Sequence, residues 1–119
     1  MREPVELTLR AACGPLAQQA AIDAWLDARC ARADERTAAI VAEGAFFTLR
    51  VPPSVPLRRL AAGCPCCAGT LPLRVALARL WREVRPRCLL LLVAQPAHLP
   101  RLRSLASDGA LGLAFEEVP

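Results

Sequence analysis

The sequence predicts a single α/β domain of three layers, built on a mostly parallel sheet. Three observations carry that prediction. Val5–Ala11 alternates, with Val5, Leu7, Leu9 and Ala11 on one side and Glu6, Thr8 and Arg10 on the other, the period of a strand. Cys88–Ala94 is a continuous run of seven apolar residues, as befits a strand buried on both faces. Between and around them, helical patterns alternate with strand patterns, the order that builds α/β domains.

Taken in chain order, Gly14 and Pro15 punctuate the end of the first strand. Leu16–Arg29 is alanine-rich and places Ile22, Trp25, Leu26 and Arg29 at helical spacing. Arg32–Arg36 is a charged connector. Thr37–Ala42 reads as a more buried strand through Ile40 and Val41. Phe46–Val51 alternates again, and Glu43-Gly44 between them can turn a hairpin. Pro52, Pro53 and Pro56 form a stiff, non-helical connector, and Leu57–Ala62 adds a short strand. After Gly63-Cys64-Pro65-Cys66-Cys67, Thr70 is placed to cap a helix that tolerates Pro72 in its first turn. Leu73, Leu77, Leu80, Trp81 and Val84 give that helix one apolar stripe, and Pro86 stops it. Pro96 and Pro100 bracket a turn into a short helix holding Leu102 and Leu105. Asp108-Gly109 ends it, and Leu111–Phe115 makes the last strand.

If Glu43-Gly44 does turn a hairpin, the order strand-helix-strand-strand-helix-strand also fits a ferredoxin-like α+β fold, and the wet side of the first strand favours that alternative.

At 119 residues, 55% of them hydrophobic, the chain has the length and apolar content of one domain with a substantial core. No apolar run approaches the ~20 residues of a membrane span, and Arg2, Glu3, Pro4 and Glu6 break any leader-like stretch at the start. A cytosolic, non-membrane protein is therefore expected. All 15 basic residues are arginine. The lack of lysine excludes a Walker A lysine and Schiff-base chemistry. The net charge of +4 is spread over scattered arginines with only five aromatic side chains, so no nucleic-acid partner is expected.

The densest chemistry is cysteine. Three of the six thiols, Cys64, Cys66 and Cys67, fall within four residues in a Pro/Gly-bounded loop that opens a helix. A helix start favours thiolate, and soft thiolates favour Zn²⁺ or another thiophilic ion. Three ligands on one short loop lose little entropy on closing around an ion. Zinc wants a fourth donor, and Glu43, His98, Cys13 and Cys88 are the candidates. Cys30, near a helix end, and Cys88, at the start of a strand, otherwise read as packing residues, and His98, the only imidazole, as a turn residue.

Leu60-Ala61-Ala62-Gly63-Cys64-Pro65-Cys66-Cys67 resembles the Gly-Cys-x-Cys-Cys segment of CobW-like GTPases, metallochaperones of the P-loop class. The similarity runs on through Leu71–Leu80, Arg85-Pro86-Arg87 and Leu89–Val93 to about Leu105, and Ile40-Val41-Ala42-Glu43 resembles the family's Ile-Val-Asn-Glu strand end. The resemblance implies metal binding at Cys64, Cys66 and Cys67, with Glu43 as a weaker match. The nucleotide machinery departs. Gln18 and Gln19 fall where the family's phosphate loop has Lys and Thr, and Val93-Ala94-Gln95-Pro96 replaces its acidic motif. What remains is a shortened relative expected to bind zinc without binding or hydrolysing GTP. Its partners are then the metal ion and a protein, either a metal recipient or an active CobW-like GTPase that this chain regulates or scaffolds.

Overall fold

The computed structural model describes residues 3–44, 47–60 and 71–118. Its strands are β1 (Val5–Ala11), β2 (Ala38–Glu43), β3 (Leu57–Leu60), β4 (Cys88–Val93) and β5 (Phe115–Glu117). Its helices are α1 (Pro15–Ala31), α2 (Leu71–Glu83) and α3 (Leu99–Ser107), the last preceded by a 3-10 turn at Pro96–His98. The strands form one sheet in the order β3-β2-β4-β1-β5, and every pairing in it is parallel.

That result decides between the two folds. A hairpin after β2 would give an antiparallel pair, whereas β2 lies parallel to both β3 and β4. Gly44, at φ 72°, donates its N–H to the Leu60 carbonyl instead of turning the chain back. The strand expected over Phe46–Val51 is absent from its described residues, 47–51. Its alternation has another use: Phe47, Leu49 and Val51 pack with Val55 over the face of the sheet that α1 covers. Apolar alternation signals one buried side of an extended segment, and a covering loop meets that condition as well as a strand.

The layers follow from the directions of the crossovers. From β1, α1 carries the chain towards β2 on one side. From β3 and β4, α2 and α3 carry it the other way. Right-handed crossovers running in opposite directions place their helices on opposite faces. Accordingly Ile22 of α1 packs with Ile40, Ala42, Leu90 and Leu92. Leu73, Leu77 and Leu80 of α2 and Leu102 and Leu105 of α3 pack with Leu7, Leu9, Val41, Leu89 and Leu91 on the other face. β4, at the centre, is buried along its whole length, which explains its unbroken apolar run. The buried stripe of α2 is the one its spacing predicts, and the helix ends where Arg85 adopts φ 49° ahead of Pro86. The last strand begins later than expected, at Phe115, because a turn through Gly109 and Gly112, at φ 75° and 89°, keeps the buried Leu111 and Leu113 out of the sheet.

At the lower edge, where the strands begin, α1 closes with a Schellman turn. Ala33, at φ 52°, donates to the Cys30 carbonyl and Asp34 to the Arg29 carbonyl. That turn sets the Asp34 carboxylate among Arg29, Arg32 and Arg36, at 3.5, 3.4 and 2.8 Å, and Arg36 also reaches Glu6 at 2.7 Å. The hydrogen bonds from Arg36 hold the Asp34 carboxyl well below the usual carboxylate range, against the opposing effect of burial.

Candidate functional site

In an open parallel sheet, ligands bind outside the carboxyl ends of the strands, where neighbouring strands send their connections in opposite directions. Here β1 and β4 are those neighbours. The end of the sheet above them carries Ala12-Cys13-Gly14 after β1, Ala94-Gln95 after β4 and Glu43 at the end of β2.

Glu43 is the best-defined part of this end. Period-two alternation along β2 puts it on the side of Ala39 and Val41, and its residue is only 6% exposed. The Ala94 N–H donates to its Oε1 at 3.1 Å, so the carboxylate is tied across the end of β4. The same Oε1 lies 3.5 Å from Nδ1 of His98, at the end of the 3-10 turn. That separation exceeds a normal hydrogen bond, and Nδ1 is buried with no hydrogen-bond partner.

Gln18 approaches from the other face. It lies one turn before Ile22 on the buried stripe of α1 and is 1% exposed. Its Nε2 donates to the Ala12 carbonyl at 3.1 Å and to the Glu43 carbonyl at 3.0 Å, clamping the exits of β1 and β2 together. Its Oε1 is buried and unpartnered. Gln19 is spent differently: the Arg50 N–H donates to its Oε1 at 2.7 Å, and its Nε2 donates to the Arg50 carbonyl at 2.9 Å, pinning the covering segment to α1. The two residues aligned with the Lys and Thr of a phosphate loop thus hold backbone groups.

The remaining sequence candidates separate by place. Cys64, Cys66 and Cys67 lie outside the described residues. The residues on either side of their segment are fixed: Leu60 is paired with Glu43 in register and Leu71 opens α2. Cys13 is exposed on the connection from β1 to α1. Cys88 is not a fourth ligand for this end. It opens β4, five residues before Val93, so about 16 Å of strand separates it from the carboxyl end of the sheet, and its Sγ lies 3.8 Å from Asp34 Oδ2. It is a buried packing residue, and burial pushes its thiol up. Cys30 is exposed, not packed, because its side of α1 faces away from the sheet. Among the described residues no three His, Cys, Asp or Glu side chains form a group that can hold a metal ion.

The sequence reading missed Gln18 as a clamp. A usable signal was present: four residues before Ile22, a glutamine occupies the stripe that otherwise carries the helix's apolar side chains.

No protein-family model, no curated protein and no solved structure matches this chain. Among the described residues no helix is long and apolar enough to cross a membrane.

Proposed function

We propose that this protein binds a thiophilic metal ion, most naturally zinc, through Cys64, Cys66 and Cys67, with Glu43 at the same site. The observation that carries the reading is where the thiol segment is tethered. It leaves the sheet at Leu60, directly beside Glu43, and rejoins at the first turn of α2. Cys64 follows Leu60 by four residues, so covalent reach alone keeps their Cα atoms within about 14 Å.

The donor chemistry supports the reading. Three thiolates suit zinc, and a tetrahedral site needs one further donor. The buried carboxylate of Glu43 and the orphaned ring nitrogen of His98 supply nitrogen and oxygen chemistry at the same end of the sheet. The function is then to sequester, sense or hand over the ion. With Gln18 and Gln19 occupied by backbone groups, release is assigned to ligand exchange with a recipient rather than to a nucleotide cycle.

Zinc titration of the reduced protein against a chromophoric chelator tests this. One tightly held ion per chain is expected, lost in a Cys64→Ser/Cys66→Ser/Cys67→Ser variant. Equal affinity in parent and variant ends the proposal.

One observation favours a second, compatible reading as a docking module for a metal recipient or a related GTPase. α2 exposes Leu71 and Val75 along an open groove of about 390 Å³, floored by Trp81, Leu111 and Leu113. Recovery of a partner from native extract that is lost on Val75→Glu supports it. Undiminished capture by that variant removes it.

A further inference from the structure

The geometry points to a second binding site, a cleft between α1 and β1 that takes a small carboxylate with an apolar body about one ring in size. The site shares no residue with the proposed metal site.

The polar side of β1 is the first sign of it. β1 lies inside the sheet, between β4 and β5, where a parallel strand ordinarily buries apolar side chains on both faces. Its side towards α1 nevertheless carries Glu6, Thr8 and Arg10. Glu6 is engaged by Arg36 at 2.7 Å. Thr8 is only 4% exposed, and no hydrogen bond among the described residues engages its hydroxyl. That hydroxyl is not sealed in by protein but opens onto a cavity of about 150 Å³. Arg10 donates to the carbonyl of its neighbour Leu9 and forms no ion pair among the described residues.

α1 makes the cavity by what it leaves unfilled. Its buried Ile22 sits over β2 and β4. Its flank towards β1 holds Ala21, Ala24 and Ala28, whose methyl groups are too short to fill the space above Thr8. Trp25 forms a further wall, and the Arg29 guanidinium lies 5.4 Å from the centre of its ring.

The charges choose the ligand. Arg10 and Arg32 line the cavity, and among the described residues no carboxylate does. Arg32 already faces Asp34 and Glu6, at 3.4 and 3.9 Å. The unspent charge is that of Arg10, two residues from the Thr8 hydroxyl on the same side of the strand. One guanidinium and one hydroxyl donor suit a singly charged carboxylate. The alanine and indole walls suit an apolar body. A cavity of this volume holds one benzene ring, whereas drug-sized ligands need about 300 Å³ or more, so the ligand is small.

Benzoate is the probe, with benzamide as its uncharged counterpart. Protein labelled with ¹⁵N-tryptophan shows two indole N–H resonances, which Trp81→Phe assigns. Benzoate at constant ionic strength is expected to shift the Trp25 resonance saturably, with a Kd of about 1 mM or tighter, and to leave Trp81 unmoved. Benzamide, Arg10→Gln and Thr8→Val are each expected to weaken binding about tenfold. Ala24→Leu, which fills the cavity from an exposed helical position, is expected to abolish binding with the circular dichroism and melting temperature unchanged. Arg10 is exposed as well, so these two variants test the site even where Thr8→Val melts early. No saturable shift of Trp25, benzamide bound as well as benzoate, or an Ala24→Leu variant that binds like the parent each overturns the inference. Because no thiol takes part, the same results are expected with and without zinc, and failure here leaves the metal reading standing.

Discussion

The two ends of the sheet solve the problem of burying polar groups in opposite ways. At the lower end, where the strands begin, charge meets charge. Asp34 gathers Arg29, Arg32 and Arg36, Arg36 extends the network to Glu6, and Arg29 lies over Trp25 at 5.4 Å. Even its one buried nitrogen without a hydrogen bond, Nη1 of Arg29, faces an opposite charge. At the upper end Gln18 Oε1 and His98 Nδ1 are buried without partners, and Nδ1 faces a carboxylate. The lower end even accepts a left-handed alanine, Ala33, to bring Asp34 into place. Such a backbone state costs about 1 kcal/mol, and the polar network it assembles offsets it. Among the described residues Gln18 Oε1 has neither a hydrogen bond nor an opposite charge to offset its burial, and this is where the two ends differ.

This contrast is open to mutation. The largest effect belongs to the core that both ends share: Leu90→Ala, at a fully buried position of β4, is expected to cost about 2–5 kcal/mol in urea unfolding. Next comes the lower network. Asp34→Ala is expected to cost about 1.5–3 kcal/mol by the same measurement, because it strips Arg29 and Arg36 of their shared carboxylate. The sign with pH follows. The Asp34 carboxyl lies below its ordinary value when folded, so its contribution is complete above about pH 4 and is lost as pH falls below that, towards the folded value. The acid limb of the stability profile is therefore expected to be steeper in the parent than in Asp34→Asn.

The smaller effects sharpen the comparison. Replacing Ala33 with glycine is expected to be neutral or to stabilise by up to about 1 kcal/mol, since only the left-handed strain is relieved. His98→Leu is expected to change stability by no more than about 0.5 kcal/mol, or to raise it, because it removes an orphaned atom. Destabilisation of His98→Leu as large as that of Asp34→Ala, seen in paired urea melts, would erase the distinction between the two ends.

Most of the fold was legible in the residues. The alternation of Val5–Ala11, the apolar run from Cys88 and the stripe through Leu73, Leu77 and Leu80 each report a local period that burial enforces. The segment beginning at Phe47 was misleading for the same reason: its period is genuine, but a loop lying on the sheet produces it as well as a strand does. The parallel arrangement turns on whether Gly44 reverses the chain, and a single Glu-Gly pair does not decide that. The candidate site was legible in part. Glu43 was named through the resemblance of Ile40-Val41-Ala42-Glu43 to a family strand end, and the fold sets it at the end of β2 with its carboxylate against the Ala94 N–H. The burial of Gln18 and the approach of His98 to Glu43 depend on contacts between residues far apart in sequence, which no local period encodes.

The claim on which the functional account depends is that Cys64, Cys66 and Cys67 converge on one ion. X-ray absorption at the zinc edge, on reduced protein loaded with one equivalent, measures this most directly. The account predicts a shell of three sulfurs at about 2.3 Å with one nitrogen or oxygen closer in. A shell of nitrogen and oxygen alone, or one with a single sulfur, would contradict it.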